Sequence, residues 1–252
     1  MKKLLRFCTI SICLLGISGF SHHVAAVEMA SAAKPKAAKP TKFVDVSELN
    51  VFSLLPSPPD VGSNRAKAEI AELHHLEDMR TPEQESQARS DSKTKDVSIF
   101  AEAMGPGFDL AALPATARLF DDIRNDEKAA ADAAKMAFHR SRPSLVDPSL
   151  KTLESTPRVE ETSSYPSGHA TMAYSMGVVL ASLAPSKAQA ILARSSVYAE
   201  NRLECGVHFR SDIVAGQVLG TVIAERMMHN PAFKVEYAAA AKELAAAHLI
   251  AK

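Results

Sequence analysis

The stretch that decides the fold runs from Tyr165 to Asp212 and carries a histidine in a distinctive setting at each end. Residues 165–169 read YPSGH, residues 170–183 read ATMAYSMGVVLASL, and residues 201–212 read NRLECGVHFRSD. The apolar run ends before Pro185 and has about the length of one buried helix. Residues 166–168 therefore predict a turn into a helix N-terminus, where free backbone N–H groups and the helix dipole favour an anion.

The second histidine of this stretch, His208, lies four positions before Asp212. Residues 213–220 read IVAGQVLG, which predicts a second helix rich in small and apolar residues. If the turn before this helix is helical, the Asp212 carboxylate reaches a ring nitrogen of His208. An imidazole oriented by a carboxylate is suited to act as a nucleophile or a base.

The composition is that of a folded chain with balanced charge. The 252 residues are 46% hydrophobic, which is enough for one substantial core or two small ones. Lys plus Arg and Asp plus Glu number 29 each, so the formal net charge is zero and no nucleic-acid partner is indicated. Affinity for an anion must therefore come from local clusters of cations.

The N-terminus predicts export to the periplasm. Three basic residues among the first six, an apolar core at residues 7–20 and VAA at residues 24–26 follow the order of a secretory signal. We expect residues 1–26 to be a signal peptide, with cleavage after Ala32 as the alternative. No later segment reaches the roughly 20 apolar residues of a membrane span, so we expect a soluble body without a membrane partner.

The remainder of the chain predicts an all-α fold. Residues 27–50 are rich in Ala, Lys and Pro and are interpreted as a flexible leader, followed by one folded domain at residues 51–252. No alternating strand-like run competes with the helical patterns. Helices are predicted over residues 65–79, 97–104, 113–139 (one long helix or two joined) and 233–250. The adjacent His74 and His75 are interpreted as surface or packing histidines and not as metal ligands.

A basic segment ends the long central helix. Residues 135–143 read KMAFHRSRP, and the proline predicts that the helix stops after Arg142. Lys135 and Arg142 are seven residues apart, so on a continuous helix they project from the same face. Residues 144–164 contain two prolines and several acidic residues, which predicts a mobile loop between two parts of a site that gates access.

These segments together match a known pattern in three parts. Lys, six residues and Arg-Pro fit Lys135 to Pro143, Pro-Ser-Gly-His fits residues 166–169, and Arg, five residues, His, three residues and Asp fit Arg202 to Asp212. The sequence thus resembles the phosphatidic acid phosphatase type 2 superfamily, which includes the vanadium haloperoxidases. Within it, the chain from about Leu54 onward looks like the class A bacterial non-specific acid phosphatases. One departure is Asn201, which stands where the pattern has Ser.

The resemblance implies a single-domain helical bundle and a role for each matched residue. His208 would attack phosphorus and form a phosphohistidine, with Asp212 fixing its tautomer. His169 would protonate the leaving alkoxide and then activate water. The phosphoryl oxygens would be held by Lys135, Arg142, Ser167, Gly168 and Arg202. The scheme needs no metal and no cofactor, and it predicts a bell-shaped pH profile on the acidic side.

Three functions are weighed. The first is a secreted, metal-independent acid phosphatase that acts on small-molecule phosphate monoesters, with possible phosphotransferase activity to alcohols or nucleosides. The second is a vanadium haloperoxidase, and the third is an exported helical protein that binds an anion without turnover. Homo-oligomers are usual among proteins of the resembled family, so we expect a dimer or a higher assembly. The remaining residues of note, interpreted as structural or peripheral, are His139, Arg140, Arg210 and the small buried Cys205.

Overall fold

The structure, a computed structural model, describes residues 40–154 and 162–251, and these residues form helices and turns without a strand. The α-helices are α1 (Val51–Leu54), α2 (Asn64–Met79), α3 (Pro82–Lys93), α4 (Ala101–Met104), α5 (Pro114–Phe138), α6 (Pro143–Val146), α7 (Gly168–Leu183), α8 (Ala188–Glu204), α9 (Arg210–His229) and α10 (Pro231–Ala246). The all-α prediction is confirmed. Among the described helices, none combines the length and the apolarity that a membrane crossing requires. The predicted signal peptide lies outside the described residues.

Side-chain caps fix the starts of α2 and α3. The Ser63 hydroxyl accepts a hydrogen bond from the Ala66 N–H and starts α2. Thr81 and Gln84 form a capping box that starts α3, a helix in a segment that the sequence identified only as polar. The predicted C-terminal helix begins at Pro231 and ends at Ala246, because residue 248 adopts a left-handed conformation.

The long helix α5 ends four residues before the predicted stop. It finishes at Phe138, and His139 adopts a left-handed conformation with φ 47°. Arg142 is extended, as expected for a residue before proline, and Pro143 begins α6 instead of ending α5. The prediction that Lys135 and Arg142 share one helix face is therefore wrong, although both side chains reach the same cavity.

The core is built around α7, which packs against α5, α8 and α9. Its closest neighbour is α9, and two glycines of α9 make this approach possible. A Cβ on Gly216 would lie 2.6 Å from the Ser167 carbonyl oxygen, and a Cβ on Gly220 would lie 2.4 Å from the Thr171 carbonyl oxygen. Because both distances are far shorter than ordinary contacts, only glycine fits at these positions. The N-termini of α7 and α9 consequently start side by side.

The end of the predicted leader belongs to the folded domain. Phe43, Val44 and Leu49 are buried, and Phe43 packs edge-to-face against Phe233 at 5.2 Å between ring centroids. The buried Asp126 carboxylate accepts hydrogen bonds from the backbone N–H groups of Lys42, Phe43 and Val44. The interpretation of residues 27–50 as flexible is therefore wrong from residue 42 onward, whereas residues 27–39 lie outside the described part of the chain.

Candidate active site

Six of the eight predicted site residues line one cavity of about 290 Å³. They are Lys135, Arg142, Gly168, His169, Arg202 and His208. The other two, Ser167 and Asp212, are fully buried behind the cavity wall. The eight residues come from the end of α5, the segment that follows it, the starts of α7 and α9 with the residues just before them, and the last turn of α8.

The start of α7 provides the anion-binding end of the cavity. Ser167 is the N-cap, and its hydroxyl accepts the Ala170 N–H at 3.4 Å. A Cβ on Gly168 would lie 3.5 Å from Lys135 Nζ, so the ammonium group sits directly against this helix start. A positive helix end and a lysine at the same point favour a phosphate group. Direct contact of the Ser167 side chain with phosphate stays a prediction.

The two ring nitrogens of His208 have different nearest partners, although Arg142 Nη1 also lies 3.4 Å from Nδ1. Nδ1 lies 3.2 Å from Asp212 Oδ2, and Nε2 lies 2.7 Å from Arg142 Nη1. Because a guanidinium can only donate and a carboxylate can only accept, this arrangement favours a proton on Nδ1 and a lone pair on Nε2. The predicted contact between His208 and Asp212 is present, but His208 precedes α9 instead of lying in a helical turn.

Several hydrogen-bond donors hold the Asp212 carboxylate in place. It accepts hydrogen bonds from Arg140 Nη1 and from Ser164 Oγ, each at 2.6 Å, and from the Phe209 N–H at 2.9 Å. Burial raises the pKa of Asp212, and these donors stabilise the carboxylate form and limit that rise. The carboxylate is therefore fixed in position beside His208.

Arg140 connects this carboxylate to α2. Its Nη2 donates to Glu69 Oε2 at 2.7 Å, and its guanidinium stacks over the Phe209 ring at 4.0 Å. Of the two alternatives for Arg140, structural or peripheral, the structural one is confirmed, since the side chain joins two buried carboxylates directly behind the site. Its position inside the Lys135–Pro143 segment was the only available signal, and no sequence signal singled out Glu69 or Ser164.

His169 is held against α3 and α8. Its Nε2 lies 3.3 Å from the Ser92 carbonyl oxygen, and its ring centroid lies 5.7 Å from that of Tyr198. Burial, followed by the positive charge of Arg202, holds the pKa of His169 well below 6.5. Burial and the charges of Arg142 and Arg202 likewise lower the pKa of His208. The same cations favour an anion in this cavity.

Arg202 is buried and forms an ion pair with Glu154 at the cavity wall. Glu154 belongs to the segment predicted to be a gating loop over residues 144–164. Of that segment, residues 144–146 continue α6, and residues 155–161 lie outside the described part of the chain. The gating role therefore stays a prediction.

The far wall of the cavity consists of charged side chains that the motifs did not predict. Most of them repeat at helical spacing along α5, and the set is Lys95, Arg124, Glu127, Lys128 and Asp132. Burial raises the pKa of Glu127 to about 7, although Arg124 pairs with it and opposes the rise. The charged face of α5 is a sequence signal that could have identified this wall, but the sequence analysis used only the apolar face of the helix.

Two further predictions concern cysteine and metal. Cys205 is fully buried, and burial raises the pKa of its thiol to about 11, which confirms its interpretation as a small buried residue. Within the described ranges, no three His, Cys, Asp or Glu side chains cluster in a way that suits a metal ion.

Comparison with known proteins identifies a family for the part of the chain that contains the candidate site. A profile described as the PAP2 superfamily matches residues 127–235, the range that contains all eight site residues. The chain carries a PAP2 superfamily domain. This PAP2 domain begins within α5 and ends at the fifth residue of α10. Glu69, Ser92 and the buried residues 43–44 lie outside it.

Several bacterial phosphatases are similar to the chain. An acid phosphatase of Zymomonas mobilis is 32% identical over 146 residues, covering 58% of this chain and 55% of that protein. A non-specific acid phosphatase of Providencia stuartii is 26% identical over 202 residues, covering 78% and 82%. One from Salmonella typhimurium is 33% identical over 113 residues, covering 44% and 45%. The chain thus spans about half the length of the first and the third. The resemblance to class A acid phosphatases is consistent with these relatives.

Among solved structures, a transmembrane PAP2-type phosphatidylglycerolphosphate phosphatase of Bacillus subtilis is similar with a TM-score of 0.48 and 17% identity. The alignment covers 67% of this chain and 87% of that one.

Proposed function

We propose that the protein is an acid phosphatase that hydrolyses phosphate monoesters in this cavity. The observation that carries the proposal is the pairing of His208, whose Nδ1 faces Asp212 while its Nε2 faces Arg142. A lone pair on Nε2 lies where an arginine would hold a phosphoryl oxygen, which is the geometry of a nucleophile beside its electrophile. The names of the similar proteins support this function and favour it over a haloperoxidase.

The reaction proceeds through a phosphohistidine. His208 Nε2 attacks phosphorus as the bond to the leaving oxygen breaks, and His169 donates a proton to that oxygen. Water then attacks the phosphohistidine, His169 accepts a proton from it, and His208 is released. Asp212 stabilises the positive charge that His208 acquires in the first step, as a carboxylate does in other nucleophile–base–carboxylate arrangements.

Side chains and the α7 N-terminus supply the positive charge for the transferred group. Lys135, Arg142 and Arg202 surround the cavity, and the Gly168 N–H lies at the helix start. Preorganised donors of this kind stabilise the charge on the equatorial oxygens of the transition state. This charge supports catalysis without a metal ion.

The proposal includes a location and an assembly. The order of basic, apolar and small residues at positions 1–26 supports export to the periplasm. Homo-oligomerisation stays a prediction, which the mass of the purified protein in solution tests. A phosphoenzyme also reacts with acceptors other than water, so phosphotransfer to alcohols accompanies hydrolysis.

The decisive experiment is hydrolysis of p-nitrophenyl phosphate in EDTA by the wild type and by His208→Ala. We expect activity in the wild type and none in the variant, together with an acid-labile, base-stable phosphate label on the wild type alone. The matched control is His229→Ala, which removes an exposed histidine at the other end of α9. Activity that survives in His208→Ala, or that requires an added metal, would contradict the mechanism.

The pH profile follows from the histidine environments. A general acid works only when protonated, and the pKa of His169 lies below 6.5, so kcat/KM falls as the pH rises above the acidic range. His208 must be neutral to attack, and its lowered pKa keeps it neutral into acid. We therefore expect a maximum below about pH 6.5. A flat profile between pH 4 and 9 would contradict these roles.

A further inference from the structure

The end of α3, which lies outside the PAP2 domain, contacts the imidazole of His169. The contact joins the Ser92 carbonyl oxygen to His169 Nε2 at 3.3 Å. A carbonyl oxygen can only accept, so the contact requires a proton on Nε2. His169 Nδ1 is then the nitrogen that remains for the reacting groups. The position of one backbone carbonyl therefore decides which nitrogen of His169 faces the chemistry.

Asp91 and Thr94, which lie on either side of Ser92 in the sequence, both form hydrogen bonds with side chains of α8. Asp91 is buried and accepts hydrogen bonds from Arg194 Nη1 at 2.9 Å, from Arg194 Nη2 at 2.6 Å and from Asn201 Nδ2 at 2.7 Å. The Thr94 carbonyl accepts a hydrogen bond from the Tyr198 hydroxyl at 2.6 Å. Residues 194, 198 and 201 share one face of α8, because they follow helical spacing. Three side chains of one helix thus hold the Asp91 carboxylate and the Thr94 carbonyl, which lie on either side of Ser92 in the sequence.

Asn201 is the residue at which this chain departs from the pattern of its family, where Ser precedes Arg. Its side chain is largely buried, and its Nδ2 donates a hydrogen bond to the Asp91 carboxylate, 110 positions earlier in the sequence. An amide carries its donor farther from the backbone than a hydroxyl does and can donate twice. The departure is therefore a structural link between α8 and α3.

We propose that Asp91, Arg194 and Asn201 form a clamp that positions the Ser92 carbonyl and so orients His169 for proton transfer through Nδ1. The clamp residues are positioning residues, because they touch neither the cavity nor the reacting atoms. The inference rests on the proposed role of His169 as general acid. When His169 is protonated, the Ser92 carbonyl accepts from Nε2–H while Nδ1–H is directed to the leaving oxygen.

Leaving-group dependence distinguishes this role from simple stabilisation of the fold. A general acid matters most for a strongly basic alkoxide and little for p-nitrophenolate, which leaves without full protonation. We expect Asn201→Ala to lower kcat/KM for glycerol 2-phosphate by about 10-fold or more, and for p-nitrophenyl phosphate by less than about 3-fold. The parameter kcat/KM is used because it reports the phosphoryl-transfer step and not the later hydrolysis.

Two further variants complete the kinetic series. Asp91→Asn removes the charge that Arg194 and Asn201 share, and it should produce the same selective loss as Asn201→Ala. The control is Lys93→Ala, an exposed residue of the same helix turn, which should leave both substrates unaffected. If Asp91→Asn does not fold, Asn201→Ala still tests the clamp because it removes a single donor. An equal loss for both substrates would overturn the proposal.

A second measurement does not require turnover. The ¹⁵N and ¹H shifts of the His169 ring report which nitrogen carries the proton, and we expect the Nε2–H tautomer in the wild type and a mixture in Asn201→Ala. A wild-type ring with its proton on Nδ1 would overturn the clamp whatever the activity. A protein with the expected tautomers that hydrolyses no phosphate ester would support the clamp and refute the proposed function.

Discussion

At the scale of single residues, the site depends on side chains that never touch the cavity. Asp212 orients His208, and Arg140 in turn holds Asp212 while it also pairs with Glu69. A buried ion pair adds little stability over an apolar replacement, but the loss of one partner leaves the other charge buried and uncompensated. The cost of changing Arg140 should therefore exceed that of changing an exposed arginine.

Arg140→Ala leaves Glu69 and Asp212 buried without their common partner. We expect the free energy of unfolding to fall by about 3–5 kcal/mol, and kcat for p-nitrophenyl phosphate to fall because Asp212 is no longer fixed. Thermal denaturation and steady-state kinetics measure the two effects. Arg210→Ala is the matched control, since its half-exposed pairs with Glu72 and Glu200 should contribute less than about 1 kcal/mol. Equal effects of the two variants would contradict the role of Arg140.

Glu127 makes stability depend on pH. Burial raises its pKa in the folded state from 4.5 to about 7. Between these two pH values, the folded protein keeps a proton on Glu127 that the unfolded chain has released. This contribution is present in full below about pH 4.5 and is lost as the pH rises through about 7. Glu127→Gln should remove it, so the variant should gain stability relative to the wild type between pH 5 and 8. Denaturant titrations at several pH values test this. The same dependence of the unfolding free energy on pH in both proteins would refute it.

At the scale of helices, the close crossing of α7 and α9 sets the distance between the two histidines. Gly216 lies against the N-cap of α7, whereas Gly220 lies one turn farther from the cavity. The two positions therefore separate an effect on packing from an effect on the site.

Alanine at either glycine should force the helices apart. We expect Gly216→Ala and Gly220→Ala each to lower the free energy of unfolding by about 1–3 kcal/mol, because a methyl group meets backbone that cannot yield. Only Gly216→Ala displaces Ser167 and the start of α7, so it should lower kcat more than Gly220→Ala does. Denaturation and kinetics on both variants test this. If Gly220→Ala reduces kcat as much as Gly216→Ala, the crossing does not act locally on the site.

The helices also show what the sequence could predict. Buried runs and caps predicted α2 and α7 well, since these signals are local. They predicted only residues 213–220 of α9, and α8 was not predicted. The end of α5 was misplaced because Pro143 both stops a helix and starts one. The motifs identified the residues around the cavity, whose spacing is short. The partners that hold them, such as Ser92 for His169 and Glu69 for Arg140, come from elements 70 or more positions away and left no pattern.

At the scale of the whole molecule, the folded domain extends beyond the PAP2 domain. Residues 42–44 cap the buried Asp126 carboxylate, and Phe43 covers Phe233 of α10. The sequence did not indicate that this segment folds, because two apolar residues after an Ala/Lys/Pro-rich run carry no periodic signal.

A chain that starts at residue 40 should be more stable than one that starts at residue 51. The shorter chain loses the burial of Phe43, Val44 and Leu49 and leaves Asp126 without its backbone donors, a loss on the order of 5 kcal/mol. Thermal denaturation of the two chains measures the difference. Equal melting temperatures would show that residues 40–50 do not contribute to the fold.

One backbone hydrogen bond has a consequence for how such a site can evolve. The Ser167 N–H donates to the Asp212 carbonyl oxygen at 3.0 Å, which ties the two helix starts together through main-chain atoms alone. Because the bond involves no side chain, substitutions among the residues that line the cavity remove neither its donor nor its acceptor. New activities can therefore be sampled on this frame without first rebuilding it.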